Sequence, residues 1–183
     1  MKQTKVIFMG TPIFAVPILV YLIENTNVVL VVTKPDTFEG RKKVLTYSPV
    51  KKVALNNNID VITPDKIKDA FEIISEINPD IIITCAYGKI VPENILSIPK
   101  LGAINVHASI LPKYRGASPI QSAILNGEEK TGITIMYMDK DMDTGDIISY
   151  EEEIIDINDN YQTLSNKLSI LGTNLLAKTL PDI

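Results

Sequence analysis

Hydrophobic and polar positions along the chain follow two alternating periods. Residues 5–9 (KVIFM) form a short aliphatic and aromatic run suited to a buried strand, and Gly10, Thr11 and Pro12 then turn the chain. Residues 12–24 space their apolar side chains at helical intervals, with proline near the first turn, and predict a helix. Residues 28–33 are almost continuously apolar, as in a strand covered on both faces of a parallel sheet. After a long connection over 34–47, Ser48 has the character of an N-cap, and Pro49 at the first helical position opens a helix over 50–57. A short strand is expected at 60–63, a helix at 69–77, buried strands at 80–84 and 101–106, and a helix at 119–126. Residues 131–138 and 146–153 alternate in a way that predicts an antiparallel pair, and 161–180 reads as a closing amphipathic helix.

Short strands alternating with helices build parallel βαβ units. The expected fold is one doubly wound α/β domain with a mostly parallel, Rossmann-like sheet. In such a sheet ligands bind beyond the carboxyl ends of the strands, where connections leave in opposite directions. Four loops are therefore candidates before any motif is considered: 10–12, 34–47, 85–92 and 107–118.

Composition narrows the class. With 45% hydrophobic and 22% charged residues in 183, the chain has enough apolar material for a real core, which excludes disorder and a small disulfide scaffold. A net charge of −4 excludes a strongly basic nucleic-acid protein. The single cysteine, Cys85, forms no internal disulfide and no multi-cysteine zinc site, and it is compatible with a reducing cytoplasm. No apolar run approaches the ~20 residues of a membrane span, and residues 6–9 are too short for a signal-peptide core of roughly 7–15 residues. A cytoplasmic, monomeric protein without a membrane partner is expected.

The charge is unevenly distributed. Residues 1–115 hold 14 basic and 10 acidic side chains, whereas 116–183 hold 4 and 12. The first-half surplus equals that of the stretch 34–52, where Lys34, Arg41, Lys42, Lys43, Lys51 and Lys52 face only Asp36 and Glu39. Such a patch suits an anionic partner or is simply a solvated lysine face. The two arginines, Arg41 and Arg115, both fall in candidate loops, where a planar fork suits phosphate or carboxylate.

His107 is the sole histidine and sits just past an apolar strand. Strand alternation puts Asn105 on the same face, so an amide donor lies beside an imidazole able to move a proton. Together they could hold an oxyanion and manage its proton, although a strand-end histidine is also a common structural residue. Asp143 lies in a run with Asp139, Asp141 and Asp146 that also suits an exposed turn. A calcium loop is rejected because Tyr150 stands where an EF-hand needs glutamate, and no metal is expected. Neither G-x-G-x-x-G, G-x-x-x-x-G-K-[ST] nor G-x-S-x-G occurs, which argues against nicotinamide, nucleotide and serine-hydrolase chemistry.

Residues 105–116 (NVHASILPKYRG) followed by ASPIQ at 117–121 resemble the core signature of formyltransferases that use 10-formyltetrahydrofolate, and Asp143, Thr144 and Gly145 resemble their second signature. FMGTP at 8–12 with FAVP at 14–17, Pro35 and Asp36 through Gly40 and Arg41 to SPVK at 48–51, AYGKIVP at 86–92 and TGITIM at 131–136 resemble the branch acting on initiator methionyl-tRNA. Lys42, Thr37 and Asp141 depart from the family's usual residues. The resemblance implies transfer of a formyl group from 10-formyltetrahydrofolate to the amino group of methionyl-initiator tRNA, in support of translation initiation. It puts the catalytic roles on Asn105, His107 and Asp143. Folate contacts would fall on Cys85, Ala86, Tyr87, Gly88, Ser109, Leu111, Pro112, Asp139 and Asp141. Contacts with tRNA would fall on Gly10, Thr11, Pro12, Arg41, Lys42, Lys43 and Arg115. Family members carry a further C-terminal β-barrel, and residues 1–183 are expected to be the catalytic domain without it. Two alternatives stay open: a formyltransferase for a small amine such as glycinamide ribonucleotide or an amino sugar-nucleotide, and a folate- or RNA-binding module without catalysis.

Overall fold

The computed structural model describes residues 1–40 and 43–183. The strands are β1 (Lys5–Gly10), β2 (Asn27–Val32), β3 (Thr37–Glu39), β4 (Val44–Thr46), β5 (Val61–Ile62), β6 (Ile81–Cys85), β7 (Ala103–His107), β8 (Lys130–Tyr137) and β9 (Ile147–Ile154). The helices are α1 (Val16–Asn25), α2 (Pro49–Asn56), α3 (Phe71–Ile77), α4 (Glu93–Leu96), α5 (Pro119–Leu125) and α6 (Tyr161–Thr179). Seven strands form one sheet in the order β5-β2-β1-β6-β7-β8-β9. The first five are parallel; β8 runs antiparallel to β7 and to β9.

The expected doubly wound, mostly parallel α/β sheet is therefore the one formed. Along β1, Val6 and Phe8 enter a core shared with α1, α2 and α6, while Ile7 and Met9 enter a second core with α3 and α4. Both faces are covered, and this is why the strand is apolar at consecutive positions. Ser48 caps α2 as expected, its hydroxyl accepting from the Lys51 N–H at 3.0 Å. Asn160 and Thr163 make a reciprocal capping box at the start of α6.

The structure departs from the expected elements in three places. The connection over 34–47 contains the β3–β4 hairpin, whose flanking residues Asp36 and Tyr47 both meet Lys51 of α2. The short helix α4 was not visible in the pattern, because four residues carry little periodicity. His107 ends β7 instead of following it, since its backbone pairs with Thr134 of β8.

The order of the strands fixes where a ligand can bind. From β1 the chain first moves outward to β2 and β5, then crosses to β6 on the other side, so the crevice opens between the ends of β1 and β6. Gly10 and Cys85 are paired there. A Cβ on Gly10 would lie 2.9 Å from the Cys85 carbonyl oxygen and 2.8 Å from the Phe8 ring, so only glycine allows this approach.

Candidate active site

The carboxyl ends of β1, β6 and β7 open into a cleft of about 520 Å³. Asn105 and His107 reach it from β7, two residues apart on one face. Asp143 reaches it from the β8–β9 connection, in a left-handed conformation at φ 54°. Gly145 lets this connection pass close to the Tyr137 carbonyl, where a Cβ would collide with backbone.

The three side chains converge. Asn105 Nδ2 donates to Asp143 Oδ1 at 3.3 Å, and His107 Nδ1 lies 3.6 Å from Asp143 Oδ2. The orientation of the Asn105 amide is fixed by its partners. The Asp143 carboxylate only accepts, so Nδ2 faces it, and the Thr84 hydroxyl then donates to Asn105 Oδ1 at 2.8 Å. The ring is fixed in the same way. Its Nε2 is 2.9 Å from the Tyr114 carbonyl oxygen, which can only accept, so the proton sits on Nε2 and Nδ1 of the neutral ring is free. Gly116 N–H donates to Asp143 Oδ2 at 2.8 Å. The His107 and Asp143 side chains are only 6% and 12% exposed, so their mutual field is weakly screened by water.

The other expected site residues divide by position. Ala86, Tyr87, Gly88, Asp139 and Asp141 line the cleft, as do Thr11 and Pro12. Ala86 and Gly88 are left-handed, at φ 48° and 74°. Asp139 also orders its own loop, its Oδ1 accepting from Asp141 N at 3.1 Å and Thr144 Oγ1 at 2.7 Å.

Cys85, Ser109, Leu111 and Pro112 are not brought to the cleft wall. Cys85 is fully buried, and burial pushes its thiol pKa up. Ser109 is also fully buried; its hydroxyl donates to the Lys113 carbonyl at 2.6 Å, and its own carbonyl accepts from Thr134 at 2.7 Å. Leu111 donates its N–H to that same threonine hydroxyl, and Pro112 is exposed. Gly10 is buried below the crevice, while Lys43 and Arg115 are exposed outside it. Arg41 and Lys42 lie outside the described residues.

Sequence reasoning missed Thr84 and the Tyr114 carbonyl. The first had a signal, a lone hydroxyl closing the apolar run of β6; the second had none, because every residue carries a carbonyl. Lys34, Met136 and Met138 also line the cleft without having been singled out for it. Among the described residues no cluster of His, Cys, Asp and Glu is arranged to hold a metal ion, and no helix is long and apolar enough to cross a membrane.

The chain is similar to known proteins in sequence and in fold. A family model described as formyl transferase matches residues 4–180. A methionyl-tRNA formyltransferase of Staphylococcus epidermidis (strain ATCC 12228) is 54% identical over 183 residues, which is 99% of this chain and 59% of that protein. The chain thus spans 59% of the length of the curated relatives it matches. Among solved structures, a phosphoribosylglycinamide formyltransferase from Bacillus halodurans is 26% identical with a TM-score of 0.77, covering 97% of this chain and 93% of its own. WlaRD, a sugar 3N-formyl transferase solved in the presence of dTDP and 5-N-formyl-THF, shares the fold at a TM-score of 0.71 and 24% identity, covering 99% of this chain and 62% of its own.

Proposed function

The chain belongs to the formyl transferase family, and on that footing we propose that its cleft moves a formyl group from 10-formyltetrahydrofolate to the amino group of methionyl-initiator tRNA, in support of translation initiation. Residues 1–183 act in this reading as a monomeric catalytic domain working in the cytoplasm. The observation that carries it is the convergence of an amide, an imidazole and a carboxylate from separate segments in one cleft.

The cleft suits the donor. Its volume falls within the roughly 300–1,000 Å³ of small-molecule sites. The 86–88 turn lies beside Val91, Met136 and Met138, a combination of backbone polar groups and apolar wall that fits a flat ring with amide-like edges. When bound, the folate supplies an activated formyl carbon.

Asn105 Nδ2 has two hydrogens, one spent on Asp143 and one left for the negative charge that grows on the formyl oxygen. His107 takes the proton shed by the attacking amine at its free Nδ1. The imidazolium so formed faces the Asp143 carboxylate across 3.6 Å, with both side chains largely buried, which lowers the cost of that charge. A new C–N bond to the acceptor replaces the one to the donor, and the imidazolium returns the proton to the departing nitrogen. Asp143 is held in place by the Gly116 N–H. Lys34 at the cleft wall would meet tRNA phosphates, with Arg41, Lys42, Lys43, Arg115 and the 10–12 turn as further contacts.

Replacing His107 by alanine tests the catalytic step. Formyl transfer is expected to fall by about 10²-fold or more, the usual share of acid–base catalysis, while folate binding stays within about twofold. Transfer at the parental rate would refute the assignment. Methionyl-tRNA is expected to outcompete glycinamide ribonucleotide and amino sugar-nucleotides as acceptor; the reverse preference would move the protein to the small-amine branch.

A further inference from the structure

Outside the cleft wall, a polar cluster ties the turn after β7 to the connection between α5 and β8. The Tyr114 phenol donates to Glu128 Oε1 at 2.6 Å, and Asn126 Nδ2 donates to the same phenol oxygen at 3.0 Å. Lys113 Nζ donates to both Glu128 oxygens, at 3.0 and 3.1 Å. The phenol–carboxylate bond is charge-assisted. It holds the Glu128 carboxyl below its usual range and pushes the Tyr114 phenol above its own.

The backbone of the same turn faces the reaction. The Tyr114 carbonyl accepts from His107 Nε2 at 2.9 Å, and two residues later the Gly116 N–H donates to Asp143 at 2.8 Å. One turn therefore grips the imidazole on one side and the carboxylate on the other, and so sets the 3.6 Å between them. Tyr114 does this in a left-handed conformation, φ 55°, which is unfavourable for an aromatic residue and persists only when the surroundings over-determine it. The Ser109 hydroxyl contributes to that determination from within, donating to the Lys113 carbonyl at 2.6 Å, and the bonds to the phenol contribute to it from outside the cleft.

We propose that Tyr114 and Glu128 are positioning residues for the reaction: their bond keeps the Tyr114 carbonyl against His107 Nε2 and thereby leaves Nδ1 unprotonated beside Asp143. The proposal rests on the catalytic reading of His107 given above. Without the anchor the turn relaxes, Nε2–H loses its acceptor, and the Asp143 carboxylate becomes the better partner for the ring's proton. The neutral ring then moves to the Nδ1–H tautomer, and its base is lost.

Because His107 is the sole histidine of these 183 residues, its ring nitrogens give unambiguous ¹⁵N signals in this chain. At a pH where the ring is neutral, the parent is expected to show the Nε2–H tautomer. Tyr114→Phe and Glu128→Ala are expected to shift it toward Nδ1–H and lower kcat by roughly 10- to 100-fold, the usual penalty for a misplaced catalytic group, with KM for both substrates within about twofold. Glu128→Gln, which keeps a carbonyl oxygen for the phenol, is expected to retain most of the parental tautomer and rate. Unchanged ring signals in folded Tyr114→Phe and Glu128→Ala would overturn the proposal, as would a fall in kcat with no tautomer change. A parent that formylates no methionyl-tRNA would count against the functional reading instead, and the ring signals would still decide this one.

Discussion

At the scale of single residues, the site is built by groups whose partners leave them one orientation. The Asp143 carboxylate fixes the Asn105 amide and the Tyr114 carbonyl fixes the His107 tautomer, because neither oxygen has a hydrogen to give. The pairing of Asn105 with His107 was legible, since strand alternation alone puts positions two apart on one face. The Thr84 hydroxyl that bonds to Asn105 was not, because a contact 21 residues away leaves no periodic trace. Tyr87 presents the opposite case. It is 3% exposed in the core formed by β1, β2, α3 and α4, and its hydroxyl finds no partner. Burial pushes its pKa up to about 12. Tyr87→Phe is expected to stabilise the fold by about 1 kcal/mol, measured from the urea midpoint, because an unpaired buried hydroxyl is costly. The phenol stays neutral in the folded state while an unfolded tyrosine ionises near pH 10, so its contribution is complete below about pH 10 and is lost as pH rises toward 12. The advantage of Tyr87→Phe should therefore widen on raising the pH from about 9 to about 11; a constant difference would show that the phenol is not desolvated.

At the scale of elements, the β3–β4 hairpin shows how a segment with little propensity of its own is kept in place. It has three residues per strand and leaves Phe38, Val44 and Leu45 exposed, too little for independent stability. Its two ends are fastened by one side chain from α2. Lys51 Nζ donates to both Asp36 oxygens, at 2.8 and 2.6 Å, and lies 4.1 Å from the centre of the Tyr47 ring. The ion pair is largely shielded, with side-chain exposures of 16% and 20%, and the ring adds a cation–π contact. Lys51→Met keeps the apolar stem and removes the charge. It is expected to speed amide exchange across 37–46 while lowering global stability by only about 1 kcal/mol, as for a partly exposed pair. Unaltered exchange in the hairpin would mean that its strands hold without the clasp. The sequence marked this stretch as a basic connection and a candidate contact; the hairpin within it depends on α2, and alternation over three residues could not announce it.

At the scale of the whole molecule, the N-terminal ends of the central strands are joined by one carboxylate. Asp80 Oδ2 accepts the Lys5 N–H at 2.7 Å, and Oδ1 pairs with Lys100 Nζ at 2.8 Å, so the starts of β1, β6 and the approach to β7 share a tether. These bonds hold its carboxyl below the usual aspartate range. A depressed folded-state pKa contributes stability above the ordinary value of about 4 and loses it as pH falls below that point. Asp80→Asn should therefore be less stable than the parent near neutrality and approach it in acid, measured as denaturant midpoints across that range. A gap independent of pH would assign the loss to packing. The opposite end of the same sheet holds the cleft. Hydrophobic periodicity determined the strands of the seven-stranded sheet, most of the helices and the double winding, because a strand covered on both faces must be apolar throughout and a covered helix must carry a stripe. Residue chemistry nominated Asn105, His107 and Asp143. Only the tertiary structure decided that Asp143, 36 residues beyond His107, comes back to the ring, that Ser109 and Cys85 sink beneath the cleft, and that a tyrosine carbonyl places the proton. Those outcomes depend on which strand lies beside which and on how loops close over their ends, and such long-range pairings are fixed by packing free energy, which no local pattern encodes.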